Sequence, residues 1–487
     1  TNETSSMLIE KQQNKELPNR ALILAGGGMR VAYQAGVMKA MEEEGLSFSH
    51  ADGASGGIFN AAMLASGHSV GKIVEKWKSL NFNYFTSFVK LKEYFTPWRL
   101  KAFGDADGIR DKVLPHFEVN VSKINSLGLP ITFSVCNFTQ KRVSTISSEQ
   151  LEENHLLAGV SLPILMPALK VGNDWFIDAV WVKDANLLEA VKRGVEDIWL
   201  IWGIGNYPSY LPGSLNQYVH SIEMSANGAL FEEFEQIKWI NKLIALGNSP
   251  YGQTRPIQVF IVKPKLPLPL DPELFLKKIT ARSLINMGYQ DTKNYLREKP
   301  ENGDSLDFRA TQTSDSGDYL CLPMKFSGKL VKRDKKLQVD FYIFLRKTIV
   351  DGVESIEAFS SFYLRAIGQE VIGGLTKVTV NGKASAETLI EIETNLIYDE
   401  KAYLLKADLR CTSPWSWLMG LAFKSVDIKV YSSQEGPEKI FMEGKLHQTF
   451  VSRLKGVALS LAKKKNGSNG GIGFKFEMVK KIIRNEV

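Results

Sequence analysis

The chain has 487 residues, 44% of them hydrophobic and 23% charged, an ordinary globular mixture that excludes a disordered or fibrous protein and leaves room for more than one domain. Its three cysteines, Cys136, Cys321 and Cys411, lie far apart and without metal-ligand spacing, which excludes a disulfide framework and points to a reducing compartment. The net charge of +7 equals that of Val451–Val487 alone, where nine Lys/Arg face two acids, and no nucleic-acid-binding motif is interleaved with it.

Residues 1–17 read as a flexible polar tail without the apolar core of a signal peptide. No stretch approaches the roughly 20 apolar residues of a membrane span. The expectation is a cytoplasmic protein with peripheral access to membrane surfaces. Arg20–Ala25 is a short apolar run that meets Gly26-Gly27-Gly28, a buried strand ending in a glycine loop. Met29–Glu44 then has helical spacing, closed by Gly45 where a C-cap wants glycine. Phe48–Gly53 leads into Ser55, and Ile58–Ser66 is again a helical, Ala-rich pattern. Strand, loop, helix, strand, serine turn and helix in about fifty residues open an α/β fold with a mostly parallel sheet flanked by helices.

Further strands are expected at Ile131–Thr139, Val143–Ser147, Ala168–Val171, Trp175–Ile177, Asp197–Ile204 and Arg255–Pro264, and helices at Ser214–Leu246 and Pro272–Arg297. We therefore expect one α/β domain over residues 18–300. The polar stretch Glu301–Gly317 reads as a linker, placed at 301–318. Residues 319–487 alternate in short apolar and polar runs, as in Gln338–Leu345 and Lys377–Val380, which predicts a β-rich second domain with a basic end. That end suits either an anionic lipid surface or a solubilising, partly mobile terminus. Phe326-Ser-Gly-Lys-Leu330 and Met442-Glu-Gly-Lys-Leu446 are faintly alike, a weak hint of a duplicated sandwich.

Gly53-Ala54-Ser55-Gly56-Gly57 fits G-x-S-x-G, the turn that lifts a serine hydroxyl out of a strand and into a helix. The pattern alone is common, but here a strand precedes it and a helix follows at once, aiming the positive end of the helix at Ser55. The upstream loop, Gly26-Gly27-Gly28-Met29-Arg30, also stands between strand and helix, where its amides can hold an oxyanion. As a phosphate cradle it lacks both the Lys-Ser/Thr ending of a P-loop and the spacing of a dinucleotide site. The histidines well downstream of the serine, His220 and His447, have no supporting pattern for a triad; an aspartate is the other candidate for the base. Asp52, Asp174, Asp178 and Asp184 are the nearby choices. An ordinary Asp is a feeble base at neutral pH, but burial and direct contact with the serine raise its basicity.

Gly26–Arg30, Gly53–Gly57 and a lone Asp178 together resemble the patatin-like phospholipases. The resemblance runs over about Leu17–Glu298 and includes Asp107-Gly108-Ile109-Arg110 and Ser161–Pro167. It implies a doubly wound α/β core, a Ser55–Asp178 dyad, an oxyanion hole at Gly26, Gly27, Gly28, Met29 and Arg30, and lipid acyl esters as substrates. No metal or organic cofactor is implied. Val31 and Ala179 depart from the family pattern, which generally has glycine at both places; neither change removes a catalytic atom.

Phe82–Phe103 mixes aromatic residues with Lys90, Lys92, Arg99 and Lys101, as does Pro414–Met419 on a smaller scale with its tryptophans, and both suit the headgroup zone of a bilayer. The expected activity is hydrolysis of acyl esters in phospholipid or neutral lipid. Two other readings share the fold: a catalytically weak lipid-binding scaffold, and an effector phospholipase silent until a protein or ligand activates it.

Overall fold

In a computed structural model the described residues are 8–9, 19–85, 106–163, 165–268, 279–314, 317–332, 334–382, 388–411, 423–433, 440–465 and 468–484. Two compact units result, one from residues 1–271 and 295–314, the other from 272–294 and 315–487. These differ from the boundaries expected from composition. Residues 301–314, expected as linker, pack within the first unit: Asp304 accepts from the Ile261 amide at 2.7 Å, and Thr311 donates to Asn227, also at 2.7 Å. The helix Ala281–Glu298 gives its first turns to the second unit, through Arg282 paired with Glu370 at 2.9 Å.

The first unit is built on an eight-stranded sheet: β1 (Arg20–Leu24), β2 (His50–Ala54), β3 (Ile131–Asn137), β4 (Arg142–Ser147), β5 (Leu169–Val171), β6 (Asp174–Ile177), β7 (Asp197–Ile201) and β8 (Gln258–Val262). The strands β3-β2-β1-β7-β8 run parallel in that order. Their interiors are buried on both faces, which is why they read as near-continuous apolar runs rather than alternating ones. Helices cover both sides. On one, the helices Leu187–Lys192 and Ser214–Ala245 close over β1, β7 and β8. On the other, α1 (Ala32–Glu43) and α2 (Gly57–Ala65) interlock through Asn60, which donates to Val31 O and Gln34 Oε1 and accepts from Trp77. The doubly wound core expected from the strand–loop–helix order is present.

The pairing of β3 brings the ends of β2 and β6 together. Strand β4 covers one flank of β3 along Thr132–Asn137, and β2 covers the other flank up to Ser134. Strand β6 pairs antiparallel with β3 only at Cys136 and Asn137. It must therefore lie on the flank β2 has vacated, descending toward the end of β2. The residue after β2 is Ser55 and the residue after β6 is Asp178.

The second unit is one antiparallel sheet of ten strands: β9 (Asp318–Lys332), β10 (Lys335–Val350), β11 (Val353–Leu364), β12 (Gln369–Ile372), β13 (Thr376–Gly382), β14 (Thr388–Tyr398), β15 (Lys401–Cys411), β16 (Ser425–Ser432), β17 (Ile440–His447) and β18 (Leu461–Lys463). Gly373 N donates to Ser360 O of β11 and Gly374 N to Asn395 O of β14, both at 2.8 Å, so the two ends of the sheet are drawn together. The similar phrases Phe326–Leu330 and Met442–Leu446 lie side by side as neighbours β9 and β17, with Gly328 opposite Leu446. They mark a strand pairing within one sheet, not two stacked repeats. The basic end is a packed element there: the helix Ile472–Arg484 buries Met478, Val479 and Ile482 in the core of this unit. Among the described residues, no helix is long and apolar enough to cross a membrane.

Candidate active site

Ser55 has φ 47, a left-handed conformation that costs a side-chain-bearing residue free energy and that the G-x-S-x-G turn imposes on its central serine. The small neighbours are required by packing. A Cβ on Gly56 would overlap the carbonyl oxygen of Gly28, so only glycine lets the elbow touch the first glycine loop. Helix α2 begins at Gly57, which leaves its first amides and its positive end beside the serine.

Ser55 Oγ donates to Asp178 Oδ2 at 2.8 Å. The other carboxyl oxygen of Asp178 accepts from the Val180 amide at 2.8 Å, and its own amide donates to Ser161 O at 3.2 Å, so the carboxyl is fixed from both ends. Only 3% of Ser55 and 1% of Asp178 are exposed. Burial pushes the Asp178 carboxyl up from 3.8 to about 7, against the opposing effect of the Val180 and Ser55 hydrogen bonds. An aspartate so placed holds or releases a proton near neutral pH, which an exposed one cannot do.

The other aspartates fall elsewhere. Asp52 points to the far side of β2, accepting from Thr132 and Ser134; burial raises it to about 8. Asp174 accepts from Asn137 at 2.8 Å and Gln140 at 3.1 Å in the β3–β6 corner. Asp184 is buried beside the glycine loop and accepts from the Gly26 amide at 2.9 Å. None of the six histidines bonds Ser55. His50 and His68 are tied to the carbonyls of Pro130 and Phe117, and His220 accepts from the Leu211 amide.

Of the loop Gly26–Arg30, not every backbone amide is free to donate to a new partner. The Gly26 amide is engaged by Asp184, and the Arg30 amide and guanidinium Nε both donate to Gly27 O, at 3.2 Å and 2.9 Å. Met29 is buried at the start of the first helical turn. Gly27 and Gly28, at φ 153 and 60, keep amides with no hydrogen bond among the described residues. Val31 and Ala179 are unstrained: Val31 has φ −66, and Ala179 opens a short 3-10 turn outside the positive-φ residues. A glycine was not required at either place.

Residues 22–191 match the family model described as patatin-like phospholipase. This segment is a patatin-like phospholipase domain. The chain is also similar to lysophospholipase nte1 of Aspergillus terreus, 25% identical over 309 residues that cover 59% of this chain and 19% of that protein. It thus spans about a fifth of the relative's length. The crystal structure of VipD from Legionella pneumophila matches with a TM-score of 0.31 and 13% identity, over 59% of this chain and 69% of that one. Within the patatin-like domain, Asp107-Gly108-Ile109-Arg110 leads into a wide π-helical turn, Ile109–Val113, with Arg110 paired to Asp107 and Glu153. Of the aromatic segment 82–103, residues 86–103 lie outside the described residues, as does Pro414–Met419.

Sequence reasoning passed over a row at the upper edge of the patatin-like sheet. Register places Lys170, Trp175 and Phe138 side by side on β5, β6 and the end of β3, with Phe138 N donating to Trp175 O at 2.8 Å. Phe138 is 48% and Trp175 47% exposed, and Lys141 Nζ stands 3.2 Å from the Phe138 ring centroid. A strand too short to show alternation hid the row.

Proposed function

We propose that the chain is a serine lipid acyl hydrolase of phospholipase A type. The 2.8 Å hydrogen bond from Ser55 Oγ to a buried aspartate of raised pKa is the observation that carries this reading. Ser55 Oγ attacks the ester carbonyl while its proton passes to Asp178, and the carbonyl oxygen, now anionic, is held by the Gly27 and Gly28 amides and the start of α2. Collapse breaks the ester bond, and the leaving alkoxide takes the proton from Asp178, leaving acyl-Ser55. Water then attacks the acyl group, giving a proton to Asp178; that proton returns to Ser55 as the fatty acid leaves. The matching family model and the name of the fungal relative support lipid esters as the substrate class.

The test is reaction with a fluorophosphonate probe, followed by fatty-acid release from mixed phospholipid vesicles. Labelling should vanish in Ser55→Ala, and release should vanish in both Ser55→Ala and Asp178→Asn. Labelling of wild type that persists in Ser55→Ala would refute the assignment.

The near-complete burial of Ser55 favours a second reading, an enzyme silent until its site opens. Labelling that appears only with vesicles or a partner would select it. The surface that meets lipid is, in this proposal, the row Lys170–Trp175–Phe138 with Lys141, whose aromatic rings and cations suit an anionic bilayer surface. Phe138→Ala with Trp175→Ala should weaken binding to vesicles containing phosphatidylserine by about tenfold; unchanged binding would remove this surface from the proposal.

A further inference from the structure

The site holds a second buried carboxyl that the dyad does not use. Asp184 is 1% exposed and lies on the loop between β6 and the helix Leu187–Lys192. One of its oxygens accepts from the Gly26 amide at 2.9 Å; the other, Oδ1, is buried with no hydrogen-bond partner. It stands against the serine itself. A Cβ built on Gly26 would fall on Asp184 Oδ1 and 2.7 Å from Ser55 Cβ, so Gly26, Ser55 and Asp184 meet at one point.

We propose that Asp184 is a positioning residue that works as a neutral carboxylic acid, clamping the glycine loop through the Gly26 amide so that the Gly27 and Gly28 amides face the oxyanion. The proposal rests on the hydrolase reading for its catalytic consequence and on the contacts above for the clamp. A carboxylate oxygen left unpartnered in a dry interior costs far more than the same oxygen in a protonated, uncharged carboxyl. The charges facing Asp184 point the same way. Asp178 lies on one side, and Arg30 is the cation that opposes it. Burial first, and Asp178 second, push the Asp184 carboxyl well above 3.8, while the Gly26 amide and Arg30 act in the other direction. Arg30 is drawn toward Gly27 O and also faces Glu223. Tyr218 faces Asp178, and Lys183, next in the chain, is occupied by Glu233 at 2.6 Å. Two neighbouring carboxyls in one dry site lose their protons in separate steps, so at neutral pH the proton stays on Asp184 while Asp178 cycles, and Asp184 ionises only at alkaline pH.

The neutral acid has a close isostere. Asp184→Asn keeps an acceptor for Gly26 and cannot ionise; Asp184→Ala removes the clamp. Wild-type labelling of Ser55 should rise with pH as Asp178 loses its proton and fall again at alkaline pH as Asp184 does. Asp184→Asn should label within a few-fold of wild type at pH 7 and lack the alkaline fall. Asp184→Ala should label about 100-fold more slowly, with faster amide hydrogen exchange at residues 26–30. An alkaline fall retained in Asp184→Asn, or full-rate labelling in Asp184→Ala, would overturn the proposal. Infrared difference spectra of wild type minus Asp184→Asn at pH 7 test it without any turnover: a protonated-carboxyl band is expected, and a carboxylate band in its place would refute it even if the protein hydrolyses nothing.

Discussion

Asp178→Asn should abolish turnover and yet make the first unit harder to unfold at alkaline pH. Burial raises the folded-state pKa of Asp178 from 3.8 to about 7. Its stabilising contribution is therefore fully present below pH 3.8 and lost as pH rises through 7, because only the unfolded chain ionises freely in that window. The rise corresponds to roughly 4 kcal/mol, a large share of a domain's stability. Asparagine carries the same two contacts, accepting from Val180 N–H and donating to a rotated Ser55 hydroxyl, and has no charge to bury. Urea unfolding followed through the buried Trp77 and Trp202 should thus give nearly equal stabilities at pH 4 and a lead of several kcal/mol for Asp178→Asn at pH 9. Titration of Asp52 is common to both proteins and largely cancels in the difference, whereas Asp184 is relieved of the Asp178 charge in the variant, which adds to its lead at alkaline pH. A difference independent of pH would refute the claim that Asp178 is a desolvated base.

Two further outcomes follow from close packing. Gly56→Ala should slow labelling of Ser55 by about 100-fold, because its methyl overlaps the Gly28 carbonyl and forces the elbow away from the Gly27 and Gly28 amides, the proposed oxyanion donors; wild-type rates would show that the loop yields at no cost. In the second unit, a Cβ on Gly444 would stand 2.6 Å from Lys329 O across the β9–β17 pair, so Gly444→Ala should lower the stability of that unit by about 1–3 kcal/mol, read by thermal unfolding, and leave Ser55 labelling unchanged.

The sequence by itself determined the order strand, glycine loop, helix, strand, elbow, helix, and the change to alternating β-strands near residue 319, though not that several of these strands run to 11–16 residues. Those features are local: the turn at Ser55 needs glycine beside it, and apolar periodicity follows from which faces a strand or helix buries. It also pointed to Asp178, but by resemblance rather than by chemistry. Tertiary structure decided the rest, because desolvation and hydrogen-bond partners are set by residues far away in the chain. Asp178 meets Ser55 only because β6 descends along the flank of β3 that β2 leaves free, bringing together groups 123 residues apart. The Gly26 amide is taken by Asp184, 158 residues further on, which is why the oxyanion-hole candidates narrow to Gly27 and Gly28. The same holds for the basic end: its charges were plain in the sequence, but the burial of Met478, Val479 and Ile482 among the strands of the second unit is a matter of packing that charge counting does not reach.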